Sequence, residues 1–359
     1  MKAVDTLRLK IDARHIDAPG ARAVLARAAA ILRSGGLVAL PTETVYGLGA
    51  NALDAAAVTR IFAAKQRPSW DPIIVHISGP VRDNPMLANL AASVPEAARK
   101  LMEAFWPGPL TLLLPRSAVV PNVVTAGRAL VGVRMPSHPV AFALIEEAGV
   151  PIAAPSANLF SHISPTTAEH VLEDLDGRID AVLDGGSADR GVESTVIDPC
   201  QTPMVIYRPG AITAEQIRAV AGDVELFKNE RPLQSAHREA LPSPGVGLRH
   251  YAPRARLVLV EGSAPDLQRQ FAAVAAAGAK RIGVMLPEAW EHAPDAIVFR
   301  WGRWSAPEEL ARCLYAGLRA LDGDGCDAIL CPLPGEDGIG VALRDRLRKA
   351  AWKDSERDA

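Results

Sequence analysis

The sequence predicts an α/β protein with two folded parts joined by an irregular segment. Three observations carry this. The chain has 359 residues, which at roughly 150 residues per domain suggests two domains or three. From Ala18 to Val220, short apolar runs of strand length mix with helical patterns, as in an α/β or α+β domain with a sheet of several strands. From Arg256 onward strands and helices alternate as in a small doubly wound sheet.

The first helix spans Ala18 to Ser34, with Val24, Leu25, Ala28, Ile31 and Leu32 on one face and Gly35-Gly36 as its stop. Leu37–Leu40 reads as a buried strand. Asp54 is placed to cap a helix running to about Ala64. Pro72–Ile77 is strand-like, and Pro95 opens a helix that reaches Phe105. Further strands begin at Thr111, Val131, Pro151, Ala181 and Ser194, with helices at Val140–Ala148, Thr167–Leu175 and Thr213–Val220.

Between Asp223 and Arg254 no period is sustained, and Pro232, Pro242, Pro244 and Pro253 interrupt the chain, so this stretch reads as a linker or a functional lid. Strands then start at Arg256, Arg281, Ala296 and Ala328, with helices at Ala264–Ala277, Pro307–Leu321 and Ile339–Trp352. The expected domains are 1–222, a linker over 223–254, and 255–359.

Composition narrows the function. Lys and Arg total 39 against 41 Asp and Glu, a formal charge of -2, so no global positive field recruits nucleic acid. Cys200, Cys313, Cys326 and Cys331 form no Cys-x-x-Cys pair, and no His lies at zinc spacing, which argues against structural zinc and a disulfide framework. No apolar run approaches the ~20 residues of a membrane span, and the N-terminus carries no signal-peptide pattern. The expectation is a cytoplasmic protein without membrane association. Neither a phosphate loop G-x-x-x-x-G-K-[ST] nor a dinucleotide fingerprint occurs, so nucleotide chemistry needs another scaffold and no dinucleotide cofactor is expected.

The chemistry-bearing residues sit in polar segments beside strands: Pro41–Ala52, Ala63–Ile77, Phe105–Pro115, Val131–Pro139, Pro151–Thr167, Asp184–Asp198 and Val205–Thr213. Lys65, Arg67, Arg134 and Arg208 are costly to bury unpaired, so each needs an anion. Ser, Thr and Asn near a helix start suit phosphate oxygens. Each residue also has a structural reading. Lys65 and Arg67 complement a helix dipole. His76 serves as a hydrogen-bonded core histidine, and Arg134 as half of a buried ion pair. Ser156, Asn158 and Ser164 act as turn or capping residues, Ser194 as an ordinary strand residue, and Tyr251 as a packing anchor.

Taken together, in order and spacing from about Ala18 to Thr213, these blocks resemble the YrdC-type threonylcarbamoyl-AMP synthase family. The segment SPGVGLRHYAP (Ser243 to Pro253) resembles the linker motif of the family's long form. The resemblance implies a YrdC-like twisted mixed sheet with helices, followed by a smaller Rossmann-like α/β domain. It also implies an enzyme, a nucleotidyltransferase that makes threonylcarbamoyl-AMP and pyrophosphate from L-threonine, bicarbonate (or CO2) and ATP. The product would feed tRNA N6-threonylcarbamoyladenosine formation through downstream transfer proteins, with any tRNA contact indirect.

By motif position the resemblance assigns Thr44, His76, Arg134, Ser156 and Ser194 to threonine. ATP goes to Lys65, Arg67, Asp71, Asn158, Ser164, Arg208 and Tyr251, with Lys65 and Arg67 catalytic. No protein metal site is implied; magnesium is expected through the ATP phosphates. The linker is expected to close over the site and exclude water. The chain departs from the family at Gln66, where glycine is more usual, and at Asp71, where asparagine is more usual. Leu159-Phe160-Ser161 and Val246-Gly247-Leu248 also differ from the family's stretches. Two other classes fit parts of the pattern: an RNA- or tRNA-binding module of the same fold, and a carbamoyl transferase of the hydrogenase-maturation type.

Overall fold

The computed structural model describes residues 5–227, 243 and 250–352. They divide into two units. The first contains 5–160, 165–189 and 193–227 with Ser243; the second contains 161–164, 190–192 and 250–352. Two short segments inside the expected first domain thus group with the second unit. The parts of the anticipated linker at 228–242 and 244–249, including most of the SPGVGLRHYAP motif, lie outside the described residues.

The first unit runs β1 (Leu7–Lys10), α1 (Pro19–Arg33), β2 (Val38–Leu40), β3 (Gly47–Asn51), α2 (Ala55–Lys65), β4 (Val75–His76), α3 (Pro85–Leu90), α4 (Glu96–Phe105), β5 (Leu110–Pro115), α5 (Asn122–Thr125), β6 (Leu130–Arg134), α6 (Pro139–Ala148), β7 (Ile152–Ala153), α7 (Ala168–Leu175), β8 (Ala181–Asp184), β9 (Thr195–Asp198), β10 (Met204–Arg208), α8 (Ala214–Ala221) and β11 (Val224–Leu226). The strands form one mixed sheet in the order β1-β8-β2-β3-β7-β4-β6-β5-β9-β10-β11.

One face of this sheet carries the main core. Val75, Leu110, Leu112, Leu114, Val131, Val133 and Ile197 point into it and meet Val58 and Ile61 of α2, Leu101 of α4, Val171 of α7 and Ile217 of α8. The opposite face is covered differently. At its β1 end, Leu25 and Leu32 of α1 and Leu144 and Ile145 of α6 pack on Leu9, Val38, Leu40, Ile152 and Leu183. That cluster includes no residue of β5, β6 or β9. Over those strands, among the described residues, the second face holds a small apolar group around Ile74, Leu113 and Val196, and beside it the polar residues considered below.

Local sequence explains most elements. Asp54 accepts from the N–H groups of Ala56 and Ala57, capping α2 as its side-chain chemistry predicts. Thr213 and Gln216 form a reciprocal capping box on α8. α2 ends at Gln66, whose φ of 53° is left-handed. Glycine takes up this conformation more readily because it has no Cβ to clash, so Gln66 adopts a backbone geometry that the residue type does not favour.

Several expectations need correction. The segment from Asp223 does not begin without structure: Val224–Leu226 adds a parallel edge strand to Met204–Ile206. With only Val224 of the three buried, there is no periodicity to read. The strand expected over Pro72–Ile77 is confined to Val75–His76. Ile73 N–H goes to the Val124 carbonyl, and the Ile74 carbonyl accepts from Ala154, so this stretch is extended without a regular ladder. Three further strands were not anticipated, β1, β3 and β10. β1 has only Leu9 buried. β3 is glycine-rich because a Cβ on Gly49 would stand 2.9 Å from both Leu40 and Ile152 side-chain carbons.

The second unit runs β12 (Arg256–Val260), α9 (Ala264–Ala276), β13 (Ile282–Pro287), β14 (Ile297–Gly302), α10 (Pro307–Gly323), β15 (Ala328–Pro332) and α11 (Gly340–Ala350). All its strand pairs are parallel, in the order β12-β15-β13-β14. Alternate residues of β13 face different helices: Val284 and Leu286 share a cluster with Leu267 and Val274 of α9, while Gly283 lies against Leu321 and Met285 against Gly317 of α10. Helices on both faces of a parallel sheet match the doubly wound expectation.

Candidate active site

The site of the first unit starts from strand register. His76 pairs with Arg134 across β4 and β6, Arg134 with Thr111 across β6 and β5, and Thr111 with Val196 across β5 and β9. Directly opposed residues share a face, so these side chains form one row on the less covered face. Arg208 joins it through an irregularity. The register shifts between Ile206 and Arg208, so that Arg208 also stands opposite Val196. A regular strand would send Arg208 to the Ile206 side; the bulge re-aims it.

Arg134 is buried and braced. Its Nε donates to the Gly108 carbonyl at 3.2 Å and its Nη1 to Thr44 Oγ1 at 3.0 Å. Thr44 is held in turn by Thr42, whose hydroxyl lies 2.8 Å away. Glu43 forms an ion pair with Arg134 Nη2. Burial opposes ionisation of Glu43, but Arg134 and nearby backbone N–H groups win and hold its carboxyl below the usual range.

His76 is buried, and among the described residues its Nδ1 has no hydrogen-bond partner. Burial, and then the positive charge of Arg134, push its pKa down from 6.5 to about 3. The imidazole is therefore neutral near pH 7. The unfolded chain binds the extra proton more readily between these two values, so folding stability is complete above 6.5 and is lost as pH falls toward 3. The loss is on the order of several kcal/mol. Replacing His76 with Gln should flatten this acid limb. Thermal midpoints of both proteins at pH 4 and pH 7 test it, and equal acid losses would remove the assignment.

A second group of charges gathers around Asp71. Arg67 Nη2 meets Asp71 Oδ2 at 2.9 Å and donates to the Pro72 carbonyl at 2.8 Å. Burial pushes the Asp71 carboxyl up against the pull of Arg67, Lys65 and Arg208. Asp71, expected as an ATP contact, is thus first of all the buried counter-ion of Arg67. Lys65 Nζ donates to the carbonyl oxygens of Ser156 and Asn158. Burial and the charge of Arg67 lower its pKa well below the ordinary lysine value.

The loop bearing Ser156 and Asn158 is fastened to the Thr44 loop: Leu48 N–H bonds the Pro155 carbonyl at 2.7 Å and Ala157 N–H the Tyr46 carbonyl at 2.8 Å. Ser194 connects to the row. Its Oγ accepts from Arg208 Nη2 at 3.1 Å and lies 2.8 Å from Thr111 Oγ1. Gly210 makes this possible, because a Cβ there would stand 2.6 Å from the Ser194 carbonyl carbon.

Thr44, Lys65, Arg67, Asp71, His76, Arg134, Ser156, Asn158, Ser194 and Arg208 are therefore linked by these contacts and interactions within the first unit. Ser164 and Tyr251 belong to the second unit. Ser164 is buried in a segment where Ser161 accepts from Ala252 N–H and Ile163 from Arg319. Tyr251 stacks on Tyr315 at 5.7 Å between ring centres, with the Arg346 guanidinium 5.4 Å from its ring. Sequence reasoning missed Glu43 and Thr111. Glu43 was visible as a carboxylate between two threonines in a polar loop; Thr111 had no local signal.

The Sua5/YciO/YrdC family model, described as "Telomere recombination", matches residues 30–210. The model of the threonylcarbamoyl-AMP synthase C-terminal domain matches residues 212–352. The chain is 45% identical to the Pyrococcus abyssi threonylcarbamoyl-AMP synthase over 90% of its own length and 93% of the relative. The chain belongs to the threonylcarbamoyl-AMP synthase family. It is also 46% identical to the Bacillus subtilis protein of that name, covering 91% of this chain and 92% of that one. The crystal structure of P. abyssi Sua5 complexed with L-threonine superposes with a TM-score of 0.86 at 42% identity, over 96% of this chain and 98% of the other. This family's long form accounts for both units. Among the described residues no helix is long and apolar enough to cross a membrane.

Proposed function

We propose that the protein catalyses nucleotidyl transfer, making threonylcarbamoyl-AMP and pyrophosphate from L-threonine, bicarbonate-derived CO2 and ATP. The observation that carries this is the cation arrangement: Arg134 on the sheet row beside Thr44 and His76, with Lys65, Arg67 and Arg208 around Asp71. One carboxylate and one triphosphate need such a division. The relatives' names and the threonine complex of the P. abyssi protein support it.

Arg134 pairs with the threonine carboxylate, with Thr44, His76, Ser156 and Ser194 around the amino acid. Lys65, Arg67, Asn158 and Arg208 hold ATP, and Asp71 acts on it through Arg67. The threonine amine adds CO2 and releases a proton, giving a carbamate. A carbamate oxygen attacks the α-phosphorus, the bond to the bridging oxygen breaks, and pyrophosphate leaves. Such a transfer requires positioning and charge neutralisation more than proton shuttling.

Among the described residues no group of three or more His, Cys, Asp or Glu is placed to hold a metal. Magnesium, which neutralises triphosphate charge, would be held by phosphate oxygens and water. The product is passed to a downstream threonylcarbamoyl-transfer protein for tRNA modification in the cytoplasm. The four cysteines are free, in keeping with that compartment.

The test is pyrophosphate release with ATP, magnesium and bicarbonate. Release should require L-threonine and stop when EDTA removes magnesium. Equal release with serine, or with no amino acid, would refute the assignment.

A further inference from the structure

We propose that Glu43 is a placeholder carboxylate: it neutralises Arg134 in the ligand-free protein and yields the guanidinium to the carboxylate of the amino-acid substrate. The proposal rests on the reading of Arg134 as the substrate-carboxylate partner.

Glu43 and Arg134 are both buried, with side chains 6% and 4% exposed, and they form an ion pair. Yet among the described residues neither Glu43 oxygen nor Arg134 Nη2 has a partner in hydrogen-bond geometry. The close contact with Arg134 is what holds the Glu43 carboxylate ionised, but its alignment falls outside hydrogen-bond geometry. The N–H groups of Glu43 and Ser137 are near enough to favour the ionised form, but neither bonds the carboxylate with hydrogen-bond geometry. His138 also lies within electrostatic reach of Glu43. It accepts from Val140 N–H at 3.2 Å, and burial lowers its pKa against the pull of Glu43 and Asp189, so it brings little positive charge.

Arg134, by contrast, is braced independently of Glu43, through the Gly108 carbonyl and Thr44. The guanidinium keeps its position whether or not Glu43 remains paired, and Nη2 has no aligned acceptor. A ligand carboxylate can supply the directional, charge-assisted bonds that Glu43 does not make. A buried cation left alone is costly, which explains why a resident anion is present at all. Glu43 is thus a positioning residue: it sets the threshold that a substrate carboxylate has to exceed.

The experiment compares Glu43→Gln with the wild-type full-length protein, measuring binding of L-threonine and of threoninol, which lacks the carboxylate. The variant should bind L-threonine about tenfold more tightly, a typical size for a coupling of this kind, with threoninol affinity unchanged. Its ligand-free thermal midpoint should fall, and threonine should raise that midpoint by more than in the wild type. Weaker threonine binding, or an equal gain for threoninol, would overturn the proposal. If Glu43→Gln does not fold, Glu43→Asp keeps the charge but withdraws it by one methylene. It should also tighten threonine binding; unchanged or weaker binding overturns the proposal. The underlying assignment fails separately, if Arg134→Ala leaves threonine affinity intact.

Discussion

Arg134→Ala is expected to raise the threonine requirement by roughly 30- to 5,000-fold, the range that follows from losing about 2–5 kcal/mol at a buried charge contact. The ATP requirement should change far less. The difference follows from what Arg134 touches: Gly108, Thr44 and Glu43, and none of the groups around Asp71. The same substitution leaves Glu43 buried without its cation, which should cost about 3–5 kcal/mol of stability. Binding and stability separate in the double variant Arg134→Ala, Glu43→Gln. Removing both charges should restore much of the thermal midpoint and none of the threonine affinity. Steady-state kinetics with each substrate varied, together with thermal melts, check both halves. Equal effects on threonine and ATP would break the division of the site.

How much of this was legible beforehand depends on the distance over which each feature is encoded. The α2 cap is written in Asp54 and the residues after it, and it was readable. The cations were readable as a set, because a buried Lys or Arg needs an anion wherever it sits. Their grouping was not. Arg134 and Thr111 become neighbours only through the pairing of β5 with β6, and that register is set by contacts far apart in sequence. Arg208 reaches the row only because β10 bulges, a feature with no signature in VIYRPG. Glu43 was passed over because the surrounding cations were assigned to substrate anions, which left no need for an internal one. Asp71 shows the same omission: Arg67 already has a carboxylate 2.9 Å away. The C-terminal strands were clear because β13 and β15 are short apolar runs buried on both faces of a parallel sheet.

Lys65→Met is the second large effect expected. It should lower the rate of adenylate formation by about 100- to 1,000-fold, the cost of removing one preorganised donor from developing charge, while changing stability by much less. The fold tolerates the change because the ammonium is itself expensive to bury. Methionine keeps the length of the side chain, and what is lost is the donation to the Ser156 and Asn158 carbonyls, about 1–3 kcal/mol offset by relief from desolvation. Lys65→Arg should not rescue the rate, since a planar fork does not fit a position built for a single ammonium between two carbonyls. The lowered pKa adds a separate consequence. Burial and Arg67 draw the Lys65 pKa down in the ligand-free protein, whereas a triphosphate beside it raises it. ATP binding should then take up a proton at pH values between the ligand-free and ATP-bound pKa of Lys65, and ATP affinity should weaken as pH rises through that window. Calorimetric titration of ATP in buffers of different ionisation enthalpy measures that uptake directly. It should disappear in Lys65→Met; uptake of the same size in the variant would place the responsible group elsewhere, with Asp71 next to be tested.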